Sequence, residues 1–248
     1  MPRAVAADLA QAGEAHYIAA MASSPPLAPF SAVVFDMDGT LLDTEMVFKD
    51  VVWQVTDGLG FTMTDDVHGR MVGSSHETTN KLLVEAYGLA FPYEMFDAEC
   101  RRIMHARMAQ SVPVKAGVPE LLAELKGRRI PMAVATSSRA AHALTHLGTA
   151  GLLDLFQAIV TRDDVLQPKP HPEPYLTAAR LLGLRPETCL AVEDSHSGVR
   201  AAHAAGMQTV MVPDLVAPTD EIRALCRVMD SLHDLKVAAF APDVIASR

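Results

Sequence analysis

The run Ala32-Val33-Val34-Phe35, halted by Asp36-Met37-Asp38-Gly39, constrains the fold more than any other part of the chain. Four apolar residues in a row, two of them β-branched and none alternating with polar ones, read as a strand buried on both faces. Runs of the same character recur at 131–135, 158–161, 189–192 and 209–212. Helix-like stretches separate them at 118–126, 139–147, 172–182 and 198–205. Strands alternating with helices predict an α/β fold: a Rossmann-like parallel sheet core with helices on both faces.

The segment 45–112 breaks that rhythm. It holds no convincing strand and several helical patterns, including 76–87 and 93–109. It is too long for one strand-to-helix connection and too patterned for a loop, so it reads as a helical insertion forming a second, small domain. The expected organisation is an N-terminal extension and linker at 1–30, an α/β core at 31–44 and 113–248, and the cap at 45–112. Residues 1–22 are Ala-rich and end in Ala20-Met21-Ala22, yet Asp8, Glu14 and His16 interrupt the apolar stretch that a signal peptide requires.

Charge and cysteine usage narrow the partners. A net charge of −9 and the lack of any basic, aromatic-interleaved patch argue against nucleic acid and against an anionic membrane surface. Cys100, Cys189 and Cys226 are odd in number and form no C-x-x-C pair. Neither a disulfide scaffold nor a zinc site is expected, and a reducing cytoplasm is the expected location.

Four separated pieces follow the ends of predicted strands, where ligands bind in open α/β sheets. In Asp36-Met37-Asp38-Gly39-Thr40, two carboxylates two residues apart can serve as a nucleophile and as a general acid and then base. Thr136-Ser137-Ser138 opens a helix pattern, and hydroxyls and free N–H groups at a helix N-terminus suit a phosphate; plain N-capping is the alternative. Lys169 stands in Gln167-Pro168-Lys169-Pro170-His171-Pro172, and the flanking prolines would aim its ammonium from a stiff backbone. Glu193-Asp194-Ser195 adds more acid at a strand tip. Converging carboxylates repel unless something neutralises them, and hard oxygen ligands suit Mg²⁺.

The pieces FDMDGTLLDTE, VATSS, QPKPHPEPY and LAVEDSHSGVRAAHAAGM, in that order, resemble the haloacid dehalogenase-like (HAD) superfamily over residues 33–235. The insertion is similar to the helical cap of the subgroup that includes β-phosphoglucomutase and sugar-phosphate phosphatases. The resemblance implies an Mg²⁺-dependent phosphatase acting on a small-molecule phosphate ester. In it Asp36 would be the nucleophile and Asp38 the acid/base, Thr136 and the N–H of Ser137 would hold the phosphoryl group, and Lys169 would neutralise charge. Mg²⁺ would sit on Asp36, the Asp38 carbonyl and Asp194, with Glu193 supporting through water. A monomer is the expected state for a cap that must swing.

A mutase is the alternative enzyme, and an inactive binding protein the alternative outside enzymes. The mutase pattern carries a His where this chain has Phe48, and cap-loop cations where it has Val72 and His76. Ser74, Ser75 and His76 are the expected specificity residues, although Ser75-His76-Glu77 also reads as a helix start. His142, His146 and His203 read as surface or core residues, and Met63, Met71 and Trp53 as cap packing.

Overall fold

The computed structural model describes residues 27–71 and 76–240. The extension before Leu27 and the expected specificity residues Ser74 and Ser75 lie outside the described residues. Six parallel strands form one sheet: β1 (Ala32–Phe35), β2 (Met132–Ala135), β3 (Ala158–Val160), β4 (Cys189–Glu193), β5 (Gln208–Met211) and β6 (Arg227–Val228). Their order is β3-β2-β1-β4-β5-β6, so the chain builds outward from β1 in one direction and then returns to its other side. Phe35 pairs with Val134 on one flank and with Val192 on the other, which brings the β1, β2 and β4 tips level.

Both faces of the sheet are covered, as the unbroken apolar strands require. Alternation along each strand sorts the side chains. Val33, Phe35, Met132, Val134, Leu190 and Val192 point to one side and pack against α5 (Val118–Gly127), α6 (Ala140–Thr149) and α10 (Leu232–Ala239). Ala32, Val34, Ala133, Ala135 and Ala191 point to the other, against α7 (Glu173–Leu181) and α8 (His196–Ala204). The second face is mostly alanine, so those helices lie close to the sheet and Tyr175 from α7 is the one large side chain buried there without exposure.

Between β1 and β2 the chain forms α1 (Thr44–Gly58), α2 (Asp65–Met71), α3 (His76–Tyr87) and α4 (Tyr93–Gln110). These helices bury an apolar cluster of their own, with Val51, Val55, Leu83, Phe91 and Phe96 at its centre. The inserted helical domain thus has its own core, as its sequence pattern requires. Its two connections run side by side: the Asp43 N–H donates to the Pro113 carbonyl at 2.9 Å, and the Lys115 N–H to that of Leu41 at 3.0 Å.

Two features depart from expectation. Residues 27–30 do not behave as linker, because Leu27 and Phe30 are buried against the core. The sheet also extends to β6, flanked by α9 (Asp220–Leu225) and followed by α10. A two-residue, half-buried strand has no apolar run to betray it. Leu190, on a central strand and almost wholly buried, tests the packing: Leu190→Ala should lower stability by about 2–5 kcal/mol in urea denaturation. A shift under about 0.5 kcal/mol would mean that the face of α5 and α10 does not seal the sheet.

Candidate active site

The strand order reverses between β1 and β4, and the acidic residues gather in the crevice beyond their tips. Asp36 immediately follows β1, and its N–H donates to the Val192 carbonyl at 2.9 Å, which holds it against β4. Lys169 enters from the proline-rich loop before α7. Its Nζ lies 2.5 Å from Asp36 Oδ1 and 2.5 Å from Glu193 Oε1, and only 3% of its side chain is exposed. The Tyr175 hydroxyl also donates to Glu193 Oε1, at 2.7 Å.

Glu193 is used completely by the protein. Its second oxygen accepts from the N–H groups of Asp194 and Ser195, both at 3.1 Å, and from the Ser195 hydroxyl at 2.9 Å. The carboxylate therefore lies on the first turn of α8, where Gly198 leaves room; a Cβ there would run into it. Gly39 plays the same part for Asp194. It has φ +84°, and a Cβ would strike the Asp194 carboxylate, whose Oδ1 accepts from the Thr40 hydroxyl at 3.2 Å.

Asp214, just beyond β5, was missed from sequence. Lys115 Nζ lies 2.6 Å from its Oδ1 and 3.7 Å from Asp43, while its Oδ2 is buried without a partner. A Pro-Asp pair after an apolar run reads as a turn, and only the fold brings it beside Gly39 and Asp194. Lys115 is thus the second cation of the crevice, and it ties both cap connections to the β5 tip.

Asp38 faces the cap. Its Oδ2 accepts from the Ser138 hydroxyl at 2.7 Å and its Oδ1 from that of Thr44, in the first turn of α1, at 3.3 Å. Thr136 is buried at the β2 tip, and its Oγ1 accepts from the Ser138 N–H at 3.0 Å. Ser137 is exposed. The loop does not itself open the helix, as the sequence pattern suggested. Helix α6 begins at Ala140, and its first N–H is taken by Asp163 Oδ2 at 3.0 Å. The backbone beside Asp38 is therefore loop and not a helix terminus. Ser138 was read only as part of a phosphate-binding stretch; that its hydroxyl holds Asp38 has no signal in the sequence.

Between this crevice and the cap lies a cavity of about 590 Å³, within the range of small-molecule sites. Asp38, Thr44 and Ser138 form its core side, with Phe48, Tyr93 and Arg101 among the cap residues facing them. His76 also lines it, with Nε2 at 3.4 Å from Asp97 and its ring edge-on to Tyr93. His146 and Met71 also line it, so they are not only surface, core or packing residues. Cys100 lies in the same wall, but burial pushes its thiol up to about 12, which removes it as a nucleophile.

The profile of the haloacid dehalogenase-like hydrolases matches residues 33–212. The chain belongs to that family. The phosphorylated carbohydrates phosphatase of Thermotoga maritima is 34% identical over 179 residues, covering 72% of this chain and 83% of the relative. β-Phosphoglucomutase of Bacillus subtilis is 30% identical over 191 residues, covering 73% of this chain and 82% of the relative. The crystal structure of a HAD family hydrolase from Deinococcus radiodurans, with bound phosphate and sodium, matches with a TM-score of 0.76 at 28% identity, covering 86% of this chain and 96% of that one. No helix among the described residues is long and apolar enough to cross a membrane.

In this HAD chain the acids are held in an expensive state. Oxygens of Asp36, Glu193 and Asp194 all lie within 4.8 Å of one another. Burial pushes Asp194 up to about 8, Glu193 and Asp214 add to the rise, and Lys169 opposes it. Burial likewise raises Asp36, against the pull of Lys169. Lys169 itself is held charged: burial would lower it, but Asp36 and Glu193 more than reverse that. A set of hard oxygen donors left short of positive charge fits a divalent cation such as Mg²⁺.

The sign of the pH effect follows. An acid whose folded value stands near 8, against an ordinary value near 4, costs stability increasingly as pH rises between the two. Asp194→Asn should therefore stabilise the metal-free protein, with a gain that grows from pH 5 to pH 9. Urea midpoints in EDTA measure it, and a gain that shrinks toward high pH would contradict the crowding of charge.

Proposed function

We propose that this chain is a phosphatase that hydrolyses a small phosphorylated metabolite through an aspartyl-phosphate on Asp36, with Mg²⁺ as cofactor. The observation that carries the reading is the Lys169 ammonium set between Asp36 and Glu193, with Asp38 and its hydroxyl partners facing the cavity. Asp36 Oδ attacks phosphorus in line while Asp38 gives a proton to the departing ester oxygen. Asp38, now a carboxylate, takes a proton from the water that opens the acyl phosphate, returning Asp36 and releasing inorganic phosphate. Thr136 and the Ser137 N–H hold phosphoryl oxygens, and Lys169 keeps the nucleophile from repelling the incoming dianion.

Asp36, the Asp38 carbonyl and Asp194 would hold the Mg²⁺. Glu193, whose oxygens are already engaged, supports from behind through water. The ion supplies positive charge to the phosphoryl oxygens. Residues 31–44 and 113–248 form the catalytic core in this reading, and 45–112 the cap that closes over the ester. Every group named comes from one chain, so a cytoplasmic monomer suffices. Hydrolysis is favoured over isomerisation because Phe48 stands in the cavity wall where the mutase pattern has a His, and Arg101 is already engaged by Asp97 at 2.9 Å.

Phosphate release from a panel of phosphorylated metabolites, with Mg²⁺ and with EDTA, tests the reading, with glucose 6-phosphate formation from β-glucose 1-phosphate followed in parallel. Asp36→Asn should bring release to background, and Asp38→Asn should slow it by about 10²–10⁴-fold. Full turnover by Asp36→Asn would refute the covalent route, and isomerisation without release would make the chain a mutase. Saturating Mg²⁺ should raise the melting temperature, by the equivalent of about 2.7 kcal/mol at a hundredfold excess over its Kd.

A further inference from the structure

Water on a bound cation needs acceptors, and the crevice keeps one buried carboxylate oxygen uncommitted. We propose that Asp214 is a positioning residue of the cation site: its Oδ2 accepts a hydrogen bond from a water of the bound Mg²⁺, beside Asp194, and Lys115 holds it in that orientation. The inference rests on the cation reading above.

Asp214 stands where it does because the tip of β5 is tied to the tip of β4: the Val212 N–H donates to the Glu193 carbonyl at 2.7 Å. Pro213 follows with its φ fixed by the ring, so the chain leaves the sheet in a defined direction. A Cβ on Gly39 would come against carboxylate oxygens of both Asp194 and Asp214, which puts the two acids side by side at the loop after β1. The oxygens that lie within 4.8 Å of one another belong to Asp36, Glu193 and Asp194. Asp214 is outside that group, and so it belongs to the layer behind it.

Its two oxygens have different tasks. Oδ1 lies 2.6 Å from Lys115 Nζ, while Oδ2 is buried and meets no donor among the described residues. A buried acceptor left so bears its full desolvation penalty unless a donor arrives with a ligand. Its neighbours are already engaged: Asp36 Oδ1 and Glu193 Oε1 by Lys169, Glu193 Oε2 by Asp194 and Ser195, and Asp194 Oδ1 by Thr40. Mg²⁺ dehydrates reluctantly and keeps several waters in a protein site, each with protons that require acceptors. Acceptors in that outer layer orient the inner ones and set the affinity for the metal. Lys115 has donors only, so its hold on Oδ1 decides which way the carboxylate turns.

Asn at this position keeps the shape of the side chain but has a single acceptor oxygen, which Lys115 draws to itself. The amide NH₂ then faces the cation site, where it cannot accept. Calorimetric titration of Mg²⁺ into the metal-free full chain should show Asp214→Asn binding about 10–100-fold more weakly than the wild type, with its metal-free melting temperature kept. Lys115→Met removes a positive charge and leaves the acceptor, so it should bind Mg²⁺ as tightly as the wild type or more tightly. Undiminished affinity in Asp214→Asn overturns the assignment. So does a weakening that both variants share, or one that comes with a lower metal-free melting temperature, either of which would make Asp214 only a strut. Each of these results leaves the cation reading standing. A wild type that neither gives a binding heat nor melts higher in millimolar Mg²⁺ overturns the cation reading, and this inference with it.

Discussion

The ammonium of Lys169 is the interaction on which the rest of the site depends. It joins the tip of β1, the tip of β4 and the loop before α7 through Asp36 and Glu193, and it lies 5.1 Å from the centre of the Tyr175 ring. Two buried carboxylates and one buried ammonium would each be costly alone. Removing one member of such a group costs about 3–5 kcal/mol, a large share of the 5–15 kcal/mol that holds an ordinary domain together. Hydrophobic residues of similar volume would stabilise the crevice as well or better. A fold that keeps charge there is keeping it for chemistry, and the energy comes from apolar faces elsewhere on the sheet.

The same crevice governs the attachment of the cap. The two connections that carry the helical domain pass each other at Leu42 and Val114, and Lys115 sits at their crossing. Its ammonium holds Asp43 on the outgoing connection and Asp214 at the β5 tip. Any displacement of the connections therefore alters the charge beside Asp194. Thr44 adds a second link, since the first turn of the cap donates to Asp38. The placement of the helical domain is thus coupled to Asp38 and to the acids beside it through one hydroxyl and one charged contact.

What was legible in the sequence follows from how local its cause is. The five longer strands announce themselves as apolar runs, and the acids at their ends as sudden breaks in those runs. Asp36, Asp38, Glu193 and Asp194 were found for that reason and Lys169 by its flanking prolines, although their roles remain proposals. Asp214 and Lys115 were missed, and with them the hold of Ser138 on Asp38, because these partners stand 99 or 100 residues apart in the chain. Strand β6 was missed because two half-buried residues make no pattern. His146 was read as an ordinary helix residue because periodicity cannot show that one turn of α6 ends against a cavity.

The division of labour in the cavity has a physical cause. Strand tips bound on both flanks are the most rigid places in such a sheet, and a reacting phosphoryl group requires donors fixed to a fraction of an ångström. Those groups all come from β1, β2, β4 and the loop before α7. The leaving group requires only a space of suitable size and charge, which helices on a separate core can supply and vary. That core, built around Phe91, Phe96 and Leu83, shares few of its residues with the sheet. On the reading proposed above, the wall that Phe48, Tyr93 and Asp97 give the cavity can vary without disturbing the ion group at Lys169.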